Sequence, residues 1–176
     1  IFPCWNHYTA AMIGDHATAM ISDAWAKGIR DFDTEKAWKY MAQNAFRHNE
    51  DTNSYKSGKG RRAMDTYLKY GYLPMEEKVP DAFHKDEQSS RTLEYAYNDW
   101  CIAALADSLG AHEQAQQYRK NALNYRKVFD GSTGFFRGKN VDGSWRAPFK
   151  PDHVSREFTE ATPWQYRFFV PHDVQG

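Results

Sequence analysis

Residues 90–131 read SRTLEYAYNDWCIAALADSLGAHEQAQQYRKNALNYRKVFDG, and this stretch decides the fold. Ser90 is placed to cap a helix over 91–109, in which Leu93, Tyr97, Trp100 and Ala104 follow one another at three- and four-residue spacing. Gly110 supplies the stop. Ala115, Tyr118, Ala122, Tyr125 and Phe129 then recur at the same spacing until Asp130 and Gly131 break it. Two helices joined by so short a turn fold back on each other as an antiparallel hairpin.

The pattern extends outward on both sides. Upstream, Ile13, Ala17, Met20, Ile21 and Ala24 predict a helix over 9–27 that ends at Gly28. Thr34 is placed to cap a second helix, with Ala37, Met41 and Ala45 as its stripe and Trp38 and Ala42 beside it. The polar stretch 47–60 reads as a loop. Met64, Tyr67 and Leu68 mark a short third helix stopped by Gly71 and Pro74, and the charged segment 75–88 reads as a connector or a functional loop. Downstream, Gly134, Gly138 and the Asp142-Gly143 turn lie between short aromatic runs, which predicts a loop or small β-hairpin over 132–151. Thr162 followed by Pro163 predicts a capped helix running to Phe169 and closed by Pro171.

Helical hairpins in succession, with no shift of composition between them, predict one all-α array, either a closed toroid or an open solenoid. Trp100, Leu109, Gly110, Ala115, Tyr118 and Ala122 are similar to a tetratricopeptide repeat, which would make the chain a peptide-binding scaffold. No second copy follows at the 34-residue period of such repeats, so the toroid is the better expectation.

Composition excludes several functions. The 23 basic and 23 acidic side chains cancel, leaving no electrostatic reason for a nucleic-acid or anionic-membrane partner. The longest apolar run, Cys101 to Ala106, is far short of the roughly 20 residues that span a bilayer. Two cysteines, Cys4 and Cys101, give no disulfide framework, and neither CxxC nor HExxH spacing occurs. Cys101 reads as an inert core thiol. Aromatic residues reach 16%, which suits dense packing or stacking on sugar rings. The chain opens on Ile1 rather than Met, with no basic-then-apolar leader, so it reads as an internal segment.

Three clusters could carry chemistry. His16, Met20, Asp23 and Lys27 share one helix face; Asp23 and Lys27 suit a surface ion pair, and His16 suits a satisfied core position better than a ligand. Glu94 stands among aromatic side chains near a helix start. As a dipole-favoured acid it should have a lowered pKa, whereas as a general acid it needs burial strong enough to hold a proton at neutral pH. Asp99 points elsewhere around the axis and reads as structural. Residues 158–166 crowd Glu160, Thr159, Thr162 and Gln165 among Phe158, Trp164 and Tyr166, a density of oxygen donors suited to sugar hydroxyls or a hard cation such as calcium. Gly58-Lys59-Gly60-Arg61 lacks the remaining residues of a phosphate-binding loop and reads as a turn.

Met12-Ile13-Gly14 with His16, Asp23-Ala24 with Lys27-Gly28, Thr92-Leu93-Glu94-Tyr95-Ala96 with Asp99-Trp100, and Phe158-Thr159-Glu160 with Trp164-Gln165-Tyr166 and Val170-Pro171-His172-Asp173 occur in this order in one family. The chain resembles glycoside hydrolase family 92, the calcium-dependent exo-acting α-mannosidases. The resemblance implies part of an (α/α)6 barrel, an inverting mechanism, terminal mannose on N-glycan-type glycans as substrate, and a secreted or periplasmic location. It assigns Glu94 as general acid, Glu160 as a sugar contact with Thr159, His16 and Trp164 alongside, and Gln165 as a calcium ligand. Where the family commonly has Gly-Asn after Thr-Glu, this chain has Ala161-Thr162-Pro163. Family members are several times longer, with an N-terminal β-sandwich and a downstream acidic motif that carries the general base. The expectation is therefore a fragment of one catalytic domain over 1–176 that holds the acid without its partner and is inactive alone, since inversion needs two carboxylates about 6.5–9.5 Å apart.

Overall fold

A computed structural model describes residues 11–46, 50–56 and 59–176, together with the backbone of 3–4 and 7–8. Near the N-terminus β1 (Pro3–Cys4) pairs antiparallel with β2 (His7–Tyr8). The side chain of Cys4 lies outside the described residues. The helices are α1 (His16–Ala26), α2 (Thr34–Phe46), α3 (Thr52–Lys56), α4 (Met64–Tyr70), α5 (Gln88–Ser108), α6 (His112–Ala122) and α7 (Pro163–Tyr166). A 3-10 turn (Leu123–Val128) leads from α6 into β3 (Phe129–Asp130), which pairs antiparallel with β4 (Phe135–Phe136). The fold is all-α apart from these two-residue strands, as expected.

Helix α5 is the spine. Toward its C-terminal half Ile102, Ala103 and Leu105 pack with Met41 and Ala45 of α2 and Tyr118 of α6, and Ile21 and Trp25 of α1 close over them. At its N-terminal half Leu93 and Ala96 join Tyr72, Tyr125, Val128, Phe136 and Phe158. Tyr95 turns a third way, onto Met64, Tyr67 and Leu73. The α5–α6 pair is the hairpin that the 90–131 pattern predicts, with Ala115, Tyr118, Ala122 and Tyr125 all buried. Phe129 leaves that stripe because the last turn tightens to 3-10 and passes into β3.

Because α5 is enclosed on nearly every side, its apolar stripe misleads. Trp100 is 43% exposed and Ala104 is exposed, while Asn98 and Asp99 are buried. The helix also begins earlier than predicted, at Gln88. The Gln88 amide donates to the carbonyls of Glu77 and Lys85, and Arg91 donates to that of His84, which ties the preceding loop into a first turn. Ser90 thus lies inside the helix and does not cap it. Its Oγ accepts the Thr159 N–H at 2.9 Å, while its own N–H donates to the Glu157 carbonyl at 3.3 Å.

Helix α1 likewise differs from its prediction. It starts at His16 because Gly14 takes φ +98°, and the Asp15 N–H donates to Asn98 Oδ1 at 2.6 Å. Its buried face is polar: Thr18 and Ser22 are buried, with Ser22 Oγ donating to the Cys101 carbonyl, whereas Met20 is 70% exposed. In α2 the cap is Asp33, whose Oδ1 accepts the Lys36 N–H, in place of Thr34. Residues 47–49 and 57–58 of the predicted loop lie outside the described residues; within that loop α3 is nucleated by Asp51, whose Oδ1 accepts the N–H groups of Asn53 and Ser54. Helix α7 carries the expected Thr162 cap with Pro163 in its first turn, to which Gln165 adds a capping box, but it ends at Tyr166. No helix among the described residues is long and apolar enough to cross a membrane.

Candidate active site

Glu94 lies in the second turn of α5, seven residues into the helix, beyond the reach of the N-terminal partial charges. Burial pushes its carboxyl up from 4.5 to about 7. Of the two opposed expectations for this residue, the raised value is the one found, and desolvation is its cause. The wall behind it is bare backbone. A Cβ on Gly14 would sit 2.9 Å from Glu94 Oε2 and 3.3 Å from the His16 ring, and the positive φ there also demands glycine. His16, at the start of α1, is therefore brought to the Gly14–Glu94 contact. It is exposed, which corrects its reading as a satisfied core histidine.

Two tyrosines lie within electrostatic reach of the acid. Burial raises the Tyr97 hydroxyl to about 12, with Cys101, Asp23 and Glu94 adding to the effect. Burial also raises Tyr166, with further contributions from Glu94 and Glu160, and its hydroxyl lies beside Ser90 and Thr159. The Tyr166 ring packs on Phe158 at 5.0 Å and Phe169 at 5.6 Å. Through its hydroxyl beside Ser90 and Thr159, Tyr166 ties the 158–166 segment to α5, the helix that carries Glu94. Neither Tyr166 nor Gly14 carries a signal in the sequence that marks it for this role.

The 157–160 segment is strapped over the start of α5. Besides the two Ser90 bonds, Glu157 Oε2 accepts the Gly138 N–H, which anchors the segment to the hairpin. Glu160 then takes φ +53°, a left-handed conformation costly for a non-glycine residue, and its side chain is exposed.

The remaining site residues go elsewhere. Trp164 is 49% exposed and packs edge-on against Phe135 of β4 at 4.7 Å, with Arg167 over its face. Gln165 closes the capping box, its Oε1 accepting the Thr162 N–H at 2.8 Å. Asp23 and Lys27 form an exposed 2.6 Å ion pair. Cys101 is buried, its thiol raised to about 11 by burial, so it stays protonated and unreactive at neutral pH. Asp99 is fully buried against Arg61 and plays the structural part expected of it. Among the described residues no three His, Cys, Asp or Glu side chains converge on a point that could hold a metal ion. With Gln165 Oε1 already engaged, these residues do not by themselves make a calcium site.

A buried carboxyl group pushed up to about 7 and backed by glycine is the equipment of a general acid. The catalytic-domain profile of glycosyl hydrolase family 92 matches residues 1–176, and the chain belongs to that family. It is 37% identical to a family 92 inverting mannosidase of Bacteroides thetaiotaomicron, over 96% of this chain and 21% of that one, with a TM-score of 0.82. A family 92 α-mannosidase of the same organism, solved in complex with mannoimidazole, is 32% identical over 97% of this chain and 21% of that one, with a TM-score of 0.80. An uncharacterized secreted glycosidase of Arthroderma benhamiae is 27% identical over 92% of this chain and 23% of that protein. The chain spans about a fifth of the length of these relatives.

Proposed function

We propose that residues 1–176 contribute the acid half of the active centre of a calcium-dependent, inverting exo-α-mannosidase that removes terminal mannose from N-glycan-type glycans outside the cytoplasm. Glu94 is the general acid and gives its proton to the leaving glycosidic oxygen. The observation that carries this reading is the Glu94 carboxyl itself, held near pH 7 by burial against the bare backbone of Gly14. Glu160, on its left-handed turn, binds sugar hydroxyls with Thr159 and His16 alongside, and the half-exposed Trp164 ring, packed on Phe135, adds a separate sugar contact. The general base comes from outside residues 1–176, and these residues alone do not hydrolyse substrate. Kinship with an inverting mannosidase supports the stereochemistry, and kinship with a secreted glycosidase supports the location.

Calcium, when bound, supplies positive charge to polarise sugar hydroxyls. Gln165 could offer it only the second lone pair of an amide oxygen already accepting from Thr162, so the other ligands come from outside this chain.

The test uses the full-length enzyme with Glu94→Gln and a series of aryl α-mannosides. A substrate with a poor leaving group needs protonation and should lose about 10²–10⁴-fold in rate; one with a good leaving group should lose far less. Equal losses across the series would remove Glu94 from the role.

A further inference from the structure

Gly14, which backs Glu94, also belongs to the wall of a cavity of about 30 Å³ whose lining includes Arg61, Arg62, His84 and Arg91. This assembly is over-supplied with positive charge and with donors. Arg61 is answered by Asp99 at 2.5 Å, with Asp15 at 3.9 Å. Among the described residues Arg91 has only neutral partners, Gln88 Oε1 and the His84 carbonyl, each at 2.6 Å. Arg62 has no ion-pair partner among the described residues. It is 5% exposed, and both of its terminal nitrogens are buried without a hydrogen bond. Its guanidinium lies 4.0 Å over the Tyr55 ring, which recovers only a small part of what a charge loses on leaving water. Nor is Arg62 free to swing away at the backbone. The Tyr95 hydroxyl accepts its N–H at 2.7 Å and donates to its carbonyl at 3.1 Å. His84, 7% exposed, turns Nδ1 to Glu87 at 3.2 Å and leaves Nε2 buried and unpaired.

We propose that this cavity is a receptor for a single carboxylate group, bound by the Arg62 guanidinium with His84 beside it. A buried guanidinium is stable when its forked N–H groups meet an anion of matching planar shape, and a carboxylate is that anion. The cavity has room for little more than a water-sized group, which excludes a sugar ring. The site is distinct from the Glu94 centre and shares with it only the Gly14 backbone. The carboxylate has two possible sources: an Asp or Glu side chain from a part of the full-length enzyme outside residues 1–176, or a small free carboxylic acid.

The experiment uses the full-length enzyme, purified without carboxylic-acid buffers, as wild type and as Arg62→Met. If a side chain fills the cavity, a crystal structure of the wild type shows its carboxylate within about 3.2 Å of the Arg62 nitrogens. In that case R62M lowers Tm by several degrees at pH 8 and by much less at pH 5, where the orphaned carboxylate protonates. If the source is a free acid, the crystal structure shows no side-chain carboxylate there. Sodium formate then raises the wild-type Tm saturably against chloride at equal ionic strength, and R62M abolishes that rise. The proposal is overturned if the wild-type structure shows only water at Arg62 and formate gives no saturable shift, or if R62M is as stable as wild type, or destabilised equally at both pH values, without any formate response. Should R62M fail to fold, the wild-type crystal structure and formate titration decide alone.

Discussion

Replacing Glu94 by Gln should make the enzyme more stable, and increasingly so as pH rises. The carboxyl titrates near its ordinary 4.5 in the unfolded chain and at about 7 in the folded one. Between those values the native state holds a proton that the unfolded state has released, so raising the pH through this window favours unfolding. Above pH 7 the penalty is fully developed. A rise from 4.5 to about 7, at about 1.4 kcal/mol per unit, amounts to about 3 kcal/mol. Gln keeps the shape and never ionises, so any packing cost it brings is constant with pH and the change in the gap isolates the proton. Urea unfolding of full-length wild type and E94Q, followed by tryptophan fluorescence at pH 4.5, 6, 7 and 8, should show the variant gaining about 2–3 kcal/mol relative to wild type from the lowest pH to the highest. A gap that stays level across that range, or closes with rising pH, would refute the claim that burial holds this proton.

Other substitutions separate the parts of the site. Gly14→Ala places a methyl 2.9 Å from Glu94 Oε2 at a backbone φ of +98°, and should cost about 1–3 kcal/mol in stability and at least about tenfold in kcat/KM, read by thermal melts and aryl-mannoside kinetics. The wild-type kcat/KM should fall as pH rises through about 7, where Glu94 loses its proton, and E94Q should lack that limb; an unchanged limb in the variant would assign it to another group. Asp99→Asn leaves Arg61 buried with only the more distant Asp15, and should destabilise by about 3 kcal/mol in chemical denaturation without moving the pH limb. Thr162→Ala and Gln165→Ala each break the α7 capping box, at about 1 kcal/mol apiece. If Gln165 also holds calcium, only Q165A raises the calcium concentration needed for half-maximal activity; equal behaviour of the two variants would confine Gln165 to capping.

What could be read from the sequence follows from where water is. Helix α6 has water along one side, so Ala115, Tyr118 and Ala122 stand out as a stripe and the hairpin is legible. Helix α5 is enclosed by three separate clusters, and a helix apolar on several faces has no single stripe to find; the row through Trp100 and Ala104 is the side left open. In α1 the buried face is made of Thr18 and Ser22, small groups of which Ser22 donates to the Cys101 carbonyl of α5, a polar packing face that hydropathy cannot register. The site residues were legible as strings, but their meeting was not. Ser90 and Thr159 are 69 residues apart, and the contact of Gly14 with Glu94 depends on a backbone turn rather than on any side chain.

The misplaced start of α5 shows how one local error reaches the chemistry. With Ser90 as cap, Glu94 would occupy the first turn, where exposed N–H groups favour an ionised acid. Beginning at Gln88 moves Glu94 down into the second turn, past those groups, and leaves burial as the only cause acting on its proton. What moves the start is not helix propensity but the demand of distant groups: Ser90 Oγ is taken by the Thr159 N–H, and Gln88 and Arg91 are taken by the carbonyls of the preceding loop. The strap that carries Thr159 and Glu160 to the acid therefore also recruits the residue that would otherwise have capped the helix in front of it. In this chain the assembly of the site and the protonation of its acid are one structural event, and loosening the strap should lower the Glu94 pKa even where no atom of Glu94 is touched.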